Sequence, residues 1–200
     1  MPNDRKQIRR REIEDVAYKM LAERGFTSTS MLEIAKQAHA SNETLYQWYG
    51  DKLGLFAAMI EANRDAAVQR LRVSIEGACL ADDLLAFGTA LLETILSDRA
   101  ILLNRAAAAD ASGQLGRALS VHGRDSVMPH LERRLESAPS PSGFSDHGDA
   151  AECFIALLVG DRQIRRIHGA LPEPDLDTCK ALAAQAVRRF LVLLAAQGAD

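Results

Sequence analysis

At 200 residues, 48% hydrophobic but only 5% aromatic, the chain is long enough for one substantial core or two small ones. A net charge of −3 excludes a generally basic nucleic-acid coat, and three scattered cysteines without a CxxC pair exclude a disulfide scaffold. Ala, Leu, Arg and Glu dominate and long β-branched runs are absent, so an all-α fold is expected.

The positive charge gathers at the start. Arg5, Lys6, Arg9, Arg10 and Arg11 fall together with no acid among residues 5–11. Two readings stand: a solvated, disordered terminus, or a basic arm that holds phosphates or enters a minor groove. The first helix is expected from about Gln7 to Arg24, with Ile13, Val16, Ala17, Met20 and Leu21 as its apolar stripe. Gly25 stops it, and Phe26 plugs a small three-helix core.

Residues 27–52 read as two short helices joined by a tight turn. Ser30 caps the first and Glu33 completes a capping box, ahead of Ile34, Ala35 and Ala38 at helical spacing. His39, Ala40 and Ser41 break it. Ser41 caps the second helix, which turns Leu45 and Tyr49 inward. Its outward face carries Asn42, Glu43, Tyr46, Gln47 and Trp48, an odd surface for water alone. It suits a helix in a DNA major groove, with amides for base edges and aromatic hydroxyl or indole groups for phosphates. The spacing is that of a helix-turn-helix.

Asp51 caps a fourth helix running from Lys52 to about Gly77. One rigid helix is thus expected to join a head of residues 1–52 to a body of residues 53–200. A fifth helix, from Asp82 or Asp83 to Leu96, is apolar on more than one face and should be buried centrally. A sixth opens at Ser97 and Asp98 and ends near Gly113. A seventh spans Gln114 to Glu136, with Pro129 kinking or breaking it. The stretch SAPSPSGFSDHG, residues 137–148, reads as a flexible loop. Asp149 and Glu152 form a second capping box, opening an eighth helix to about His168, with Gly160 midway as a point of close helix approach. Arg162, Arg165 and Arg166 read as its solvated face with i,i+3 partners, an anionic ligand being the alternative. The last of about nine helices runs from Asp177 to Gln197.

The runs TSMLEIAKQA (29–38) and SNETLYQWYGDK (41–52) resemble the DNA-binding domain of the tetracycline-repressor-like (TetR/AcrR) regulators, over roughly residues 8–60. The resemblance implies a recognition helix from Ser41 to Trp48. It implies base-edge roles around Asn42, Glu43, Thr44 and Gln47, and phosphate roles for Tyr46, Trp48 and Lys52. Two positions depart from the family pattern. His39 stands where the turn usually carries Gly and must tolerate a positive φ. Glu43 stands where a small residue or Pro is usual. The family also pairs its last two long helices into a four-helix dimer interface, for which Leu157, Gly160, Ile164, Val187, Leu191 and Leu194 are the candidates; intramolecular core is the alternative.

The body is larger than a dimer interface needs, so a ligand cavity is inferred among the fourth to eighth helices. Phe87, Leu91, Leu103, Met128 and Phe154 are candidate lining residues, and core packing explains each equally well. No catalytic set emerges. His122, Asp125 and His130 share a helix but not a face, and no HExxH, P-loop, GxSxG or GxGxxG occurs, so no metal, cofactor or enzyme activity is expected. Cys79, Cys153 and Cys179 read as small buried hydrophobes. The basic N-terminus lacks an apolar signal region, and FIALLVG and FLVLLAA are too short to span a membrane, so a cytoplasmic protein is expected. The favoured reading is a ligand-responsive repressor that binds a near-palindromic operator as a homodimer and is released by a small molecule. The alternatives are a helical binding protein whose head docks a protein partner, and a small all-α enzyme.

Overall fold

A computed structural model describes residues 2–74, 79–136 and 144–195, apart from the side chains of residues 2–4, 66–74 and 124. The described residues form α1 (Pro2–Arg24), α2 (Met31–Gln37), α3 (Asn42–Tyr49), α4 (Lys52–Ser74), α5 (Leu80–Ile95), α6 (Asp98–Ala108), α7 (Gln114–Leu119), a π turn (Ser120–Arg124), α8 (Asp125–Glu136), α9 (His147–Val159), α10 (Arg162–Ile167) and α11 (Leu176–Ala195). No strand occurs among them. The chain divides into two compact units: residues up to Ala62 with Leu102–His122, and Asn63–Ile101 with the residues from Gly123 onward.

The first unit is built on the α1 stripe. Ile13, Ala17, Met20 and Leu21 pack with Ile34, Ala35, Leu45 and Tyr49 from the two short helices. Leu55, Phe56, Met59 and Ile60 of α4 complete the same cluster, as do Leu103, Ala106 and Leu115. The unit therefore does not end at residue 52: the apolar face of the first turns of α4 continues into this core. Phe26 is the plug expected of it, edge-on to Phe56 at 5.5 Å. α1 begins at Pro2, not near Gln7. Proline suits a first helical position, where its missing N–H costs nothing. The basic run is consequently helical, and neither a free arm nor a disordered tail.

The second unit centres on α5. Leu84, Phe87, Leu91 and Leu92 pack with Phe154 and Leu158 of α9 and with Cys179, Ala183 and Phe190 of α11. The aromatic rings interlock, Phe87 with Phe154 at 6.3 Å and Phe154 with Phe190 at 5.3 Å. The close helix approach lies at Gly88, where a Cβ would sit 3.1 Å from Leu158 Cδ1 and 3.2 Å from Ala183 Cβ. It does not lie at Gly160. Gly160 closes α9 at φ 52, and only an arginine side chain lies near it. The expected eighth helix is thus two: α9 ends at a residue free to adopt positive φ, and α10 restarts after Asp161.

Three further departures have local causes. Asp146, not Asp149, caps α9: the Asp149 N–H donates to Asp146 Oδ1 at 2.8 Å, and the Asp149 carboxylate accepts from Ser145 N at 3.0 Å. Pro129 sits inside α8, and the irregularity falls one turn earlier, in the π turn. A wider turn there relieves the crowding that the proline ring imposes on the preceding carbonyls. Arg166 is buried, not solvated. It donates to Leu96 O at 3.0 Å, Leu171 O at 3.0 Å and Asp98 Oδ1 at 2.6 Å, fastening the α5–α6 corner. Of the three thiols, Cys179 is buried, Cys153 half-buried and Cys79 exposed. The expected loop lies largely outside the described residues; Phe144, at its described end, packs on Phe190 at 6.0 Å.

Candidate nucleic-acid interface

α2, a turn and α3 form the helix-turn-helix. At the start of α2, Ser30 Oγ accepts from Glu33 N at 3.2 Å, and the Ser30 hydroxyl donates to the Glu33 carboxylate at 3.1 Å. Arg24 holds that carboxylate from the other side. The helix ends in a Schellman turn: Ala40 N donates to Ala35 O at 2.9 Å and His39 N to Lys36 O at 3.3 Å. His39 occupies the left-handed position at φ 51, as the family resemblance implied. Ser41 then caps α3, accepting from Thr44 N at 3.0 Å.

α3 is anchored by Leu45 and Tyr49, both buried. The Tyr49 hydroxyl is buried without a hydrogen-bond partner among the described residues. Burial, and then the Glu14 carboxylate, hold it neutral far above the ordinary tyrosine range. On the opposite face Asn42, Glu43, Tyr46 and Gln47 are exposed. That leaves two amides, a carboxylate and a phenol in reach of a partner surface, on one short rigid helix. Thr44 is half-buried and its hydroxyl pairs with that of Ser41 at 2.7 Å, so both hydroxyls serve the cap.

Two predicted contact residues are engaged elsewhere. Trp48 is half-buried against the core, with Lys6 Nζ 5.6 Å and the Arg10 guanidinium 5.9 Å from its ring centroid. Lys52 Nζ turns inward, donating to Phe26 O at 2.8 Å and Thr29 O at 3.0 Å, and lies 4.2 Å from the Phe26 ring centroid. Burial lowers its pKa. The ammonium thus ties the start of α4 to the α1–α2 connection and is not directed outward as a phosphate contact. Sequence reasoning missed this inward demand because the carbonyls at 26–29 become visible only once the turn is folded.

It also missed Gly54. A Cβ there would fall 1.8 Å from Tyr49 O, so the first turn of α4 lies flat against the end of α3. Asp51 fixes that corner by accepting from Gly54 N at 2.7 Å. Behind α3, the basic residues of α1 form a brace. Besides Lys6 and Arg10, Arg9 Nη2 donates to Ala38 O at 2.5 Å and His39 O at 2.7 Å.

The candidate ligand residues separate. Phe87, Leu91 and Phe154 lie together in the second unit's core with Met128 packed against it, whereas Leu103 belongs to the first unit's core. One turn before Phe87 on α5, Asp83 is buried and paired with Arg134 at 2.5 Å. Its other oxygen, Oδ1, makes no hydrogen bond among the described residues. Of the candidate dimer residues, Ile164 is 48% exposed, Leu157, Leu191 and Leu194 are half-buried, Gly160 is exposed and Val187 is in the core. Val187 therefore has no surface to offer a second chain. Val192 and Leu193 on α11 are exposed instead. Among the described residues, no helix is long and apolar enough to cross a membrane.

Residues 13–59 match the family described as bacterial regulatory proteins, tetR family, and residues 82–195 match the AefR-like transcriptional repressor C-terminal domain. The fold is similar to that of a TetR transcriptional regulator from Agrobacterium tumefaciens, at 29% identity and a TM-score of 0.72 over 94% of this chain and 98% of that one. It is similar also to the flavonoid-responsive regulator FrrA, at 25% identity and a TM-score of 0.71 over 92% and 96%. The HTH-type transcriptional regulator HbdR of Aromatoleum sp. (strain CIB) is 33% identical over 69 residues, which span 34% of this chain and 30% of that regulator.

Proposed function

The chain belongs to the tetR family of bacterial regulatory proteins, and we propose that it acts as a dimeric repressor released from a near-palindromic operator by a small molecule. One observation carries the DNA reading: α3 buries Leu45 and Tyr49 while holding Asn42, Glu43, Tyr46 and Gln47 outward on a capped, braced helix. Asn and Gln make bidentate contacts with adenine, and Glu43 accepts from a cytosine amino group. Tyr46 meets phosphate. Trp48 and Lys52 support α3 and the α1–α2 connection from behind. The dimer uses the exposed apolar residues Ile164, Val192 and Leu193 with the outer edges of Leu157, Leu191 and Leu194.

The effector enters the second unit near Phe87, Leu91, Met128 and Phe154. A buried carboxylate oxygen without a donor is costly, and a hydroxyl or amine on an otherwise apolar ligand would supply the missing bond to Asp83 Oδ1. The flavonoid-responsive regulator FrrA shares this fold, and a polyhydroxylated aromatic fits the same description. Asp83→Asn, which turns one acceptor into a donor, should weaken such a ligand at least about tenfold while leaving DNA affinity intact.

The deciding experiment is binding-site selection on random DNA followed by a salt-dependent shift assay. The expected product is an inverted repeat with half-sites about one turn or more apart. Selection that enriches no consensus, with no salt-dependent shift, would reject the reading.

A further inference from the structure

We propose that Arg9 is a positioning residue for α3: it holds the turn that aims the helix in a conformation that the residue at that turn, His39, does not favour. The inference rests on the reading of α3 as the DNA-contacting helix.

The turn between α2 and α3 is a Schellman motif with His39 at the left-handed position. Glycine fills that position without steric cost, but a residue with a Cβ crowds its own carbonyl there. Something must hold the strained arrangement. Arg9 lies twenty-nine and thirty residues earlier in the chain, on α1, and the two hydrogens of its Nη2 go to two successive carbonyls, Ala38 O at 2.5 Å and His39 O at 2.7 Å. Its other arm, Nη1, is fixed by Glu12 at 2.5 Å. The planar guanidinium is therefore spoken for on both arms. Its charge is matched by Glu12, and its bonds are directed at the turn, not outward to a phosphate. Because Ser41, the cap of α3, follows two residues after His39, the direction in which α3 leaves the turn is set by this contact.

The test compares Arg9→Gln, His39→Gly and the double variant in the full chain, on the sequence recovered from random DNA. Operator affinity is titrated against salt, and amide exchange is followed at Ala40, whose N–H closes the Schellman turn. Arg9→Gln should weaken operator binding about tenfold and speed exchange at Ala40, with the salt slope unchanged. Adding His39→Gly should bring both back to within about twofold of the parent, because glycine keeps the positive φ unaided. A salt slope that falls by about 1 in Arg9→Gln would instead make Arg9 a phosphate contact and overturn the proposal. So would a double variant no better than Arg9→Gln, or unaltered exchange at Ala40. If the parent protein selects no DNA, the functional reading fails separately, and amide exchange in the four proteins still decides whether Arg9 holds the turn.

Discussion

At Gly54 there is no room for a side chain: a Cβ would fall 1.8 Å from Tyr49 O. The obstacle is the Tyr49 carbonyl, which is backbone and cannot rotate away, so Gly54→Ala must separate the ends of α3 and α4. A loss of about 3 kcal/mol is expected, seen as a lower denaturant midpoint. Lys52 and Gln47 make a contrasting pair. Lys52→Ala removes a charged donor from two loop carbonyls and should cost about 1–3 kcal/mol of stability without changing the salt slope of DNA binding. Gln47→Ala should leave stability alone and relax preference at one base pair by about 1–3 kcal/mol. If instead Lys52→Ala lowered the salt slope, the inward geometry would not describe the DNA-bound protein. Cys179 adds a pH signature. Burial first, then the charges of Glu93, Asp175 and Glu173, push its thiol up to about 11. A raised folded pKa means that the native state keeps the proton longer than the unfolded chain. Stability is therefore unaffected by this group below the ordinary thiol value of 9.0 and declines as pH rises from there toward 11. Cys179→Ala should flatten that decline in alkaline denaturation curves.

At the scale of elements, much was legible. The caps at Ser30, Ser41 and Asp51, the stops at Gly25 and His39, and the buried pair Leu45 and Tyr49 follow from local chemistry, and each reappears in the folded chain. Cap positions were misread where acids recur at capping spacing. Asp146, Asp149 and Glu152 all sit three apart, and choosing between them requires knowing that Phe144 docks on Phe190 and starts the helix early. Asp146→Ala should thus cost about 1 kcal/mol in thermal melts. An unchanged melt in Asp146→Ala would restore the later start. Gly160 and Pro129 show the same limit. Periodicity runs straight through both, and only backbone geometry tells a left-handed stop from a helix interior. The interface was legible on its exposed side alone. Nothing in the sequence distinguishes Trp48 and Lys52 as inward-facing, because their partners Lys6, Arg10 and the Phe26 and Thr29 carbonyls come from distant or irregular segments.

For the whole molecule, two measurements bear on assembly and control. Ile164→Glu or Val192→Glu should give a folded monomer in sedimentation, since both side chains are exposed in the single chain. Val187→Glu should give insoluble protein, because it buries a charge. A parent protein that sediments as a monomer at micromolar concentration would remove the dimer altogether. An inducer must weaken DNA by the same factor by which DNA weakens the inducer, typically about 5–150-fold. Equal ligand affinity with and without DNA would disqualify a compound as inducer, however tightly it bound. The make-up of the first unit bears on the protein's ancestry and re-engineering. Leu103, Ala106 and Leu115 complete the core beneath α1 to α4, although about forty residues of the other unit intervene in the sequence. The DNA-reading part is therefore not a cassette that recombination can cut out at one joint. A graft of residues 1–62 alone onto a relative would strip Leu103, Ala106 and Leu115 from the core they share with α1 to α4. Head-swapped hybrids should stay soluble far more often when residues 102–122 travel with the head.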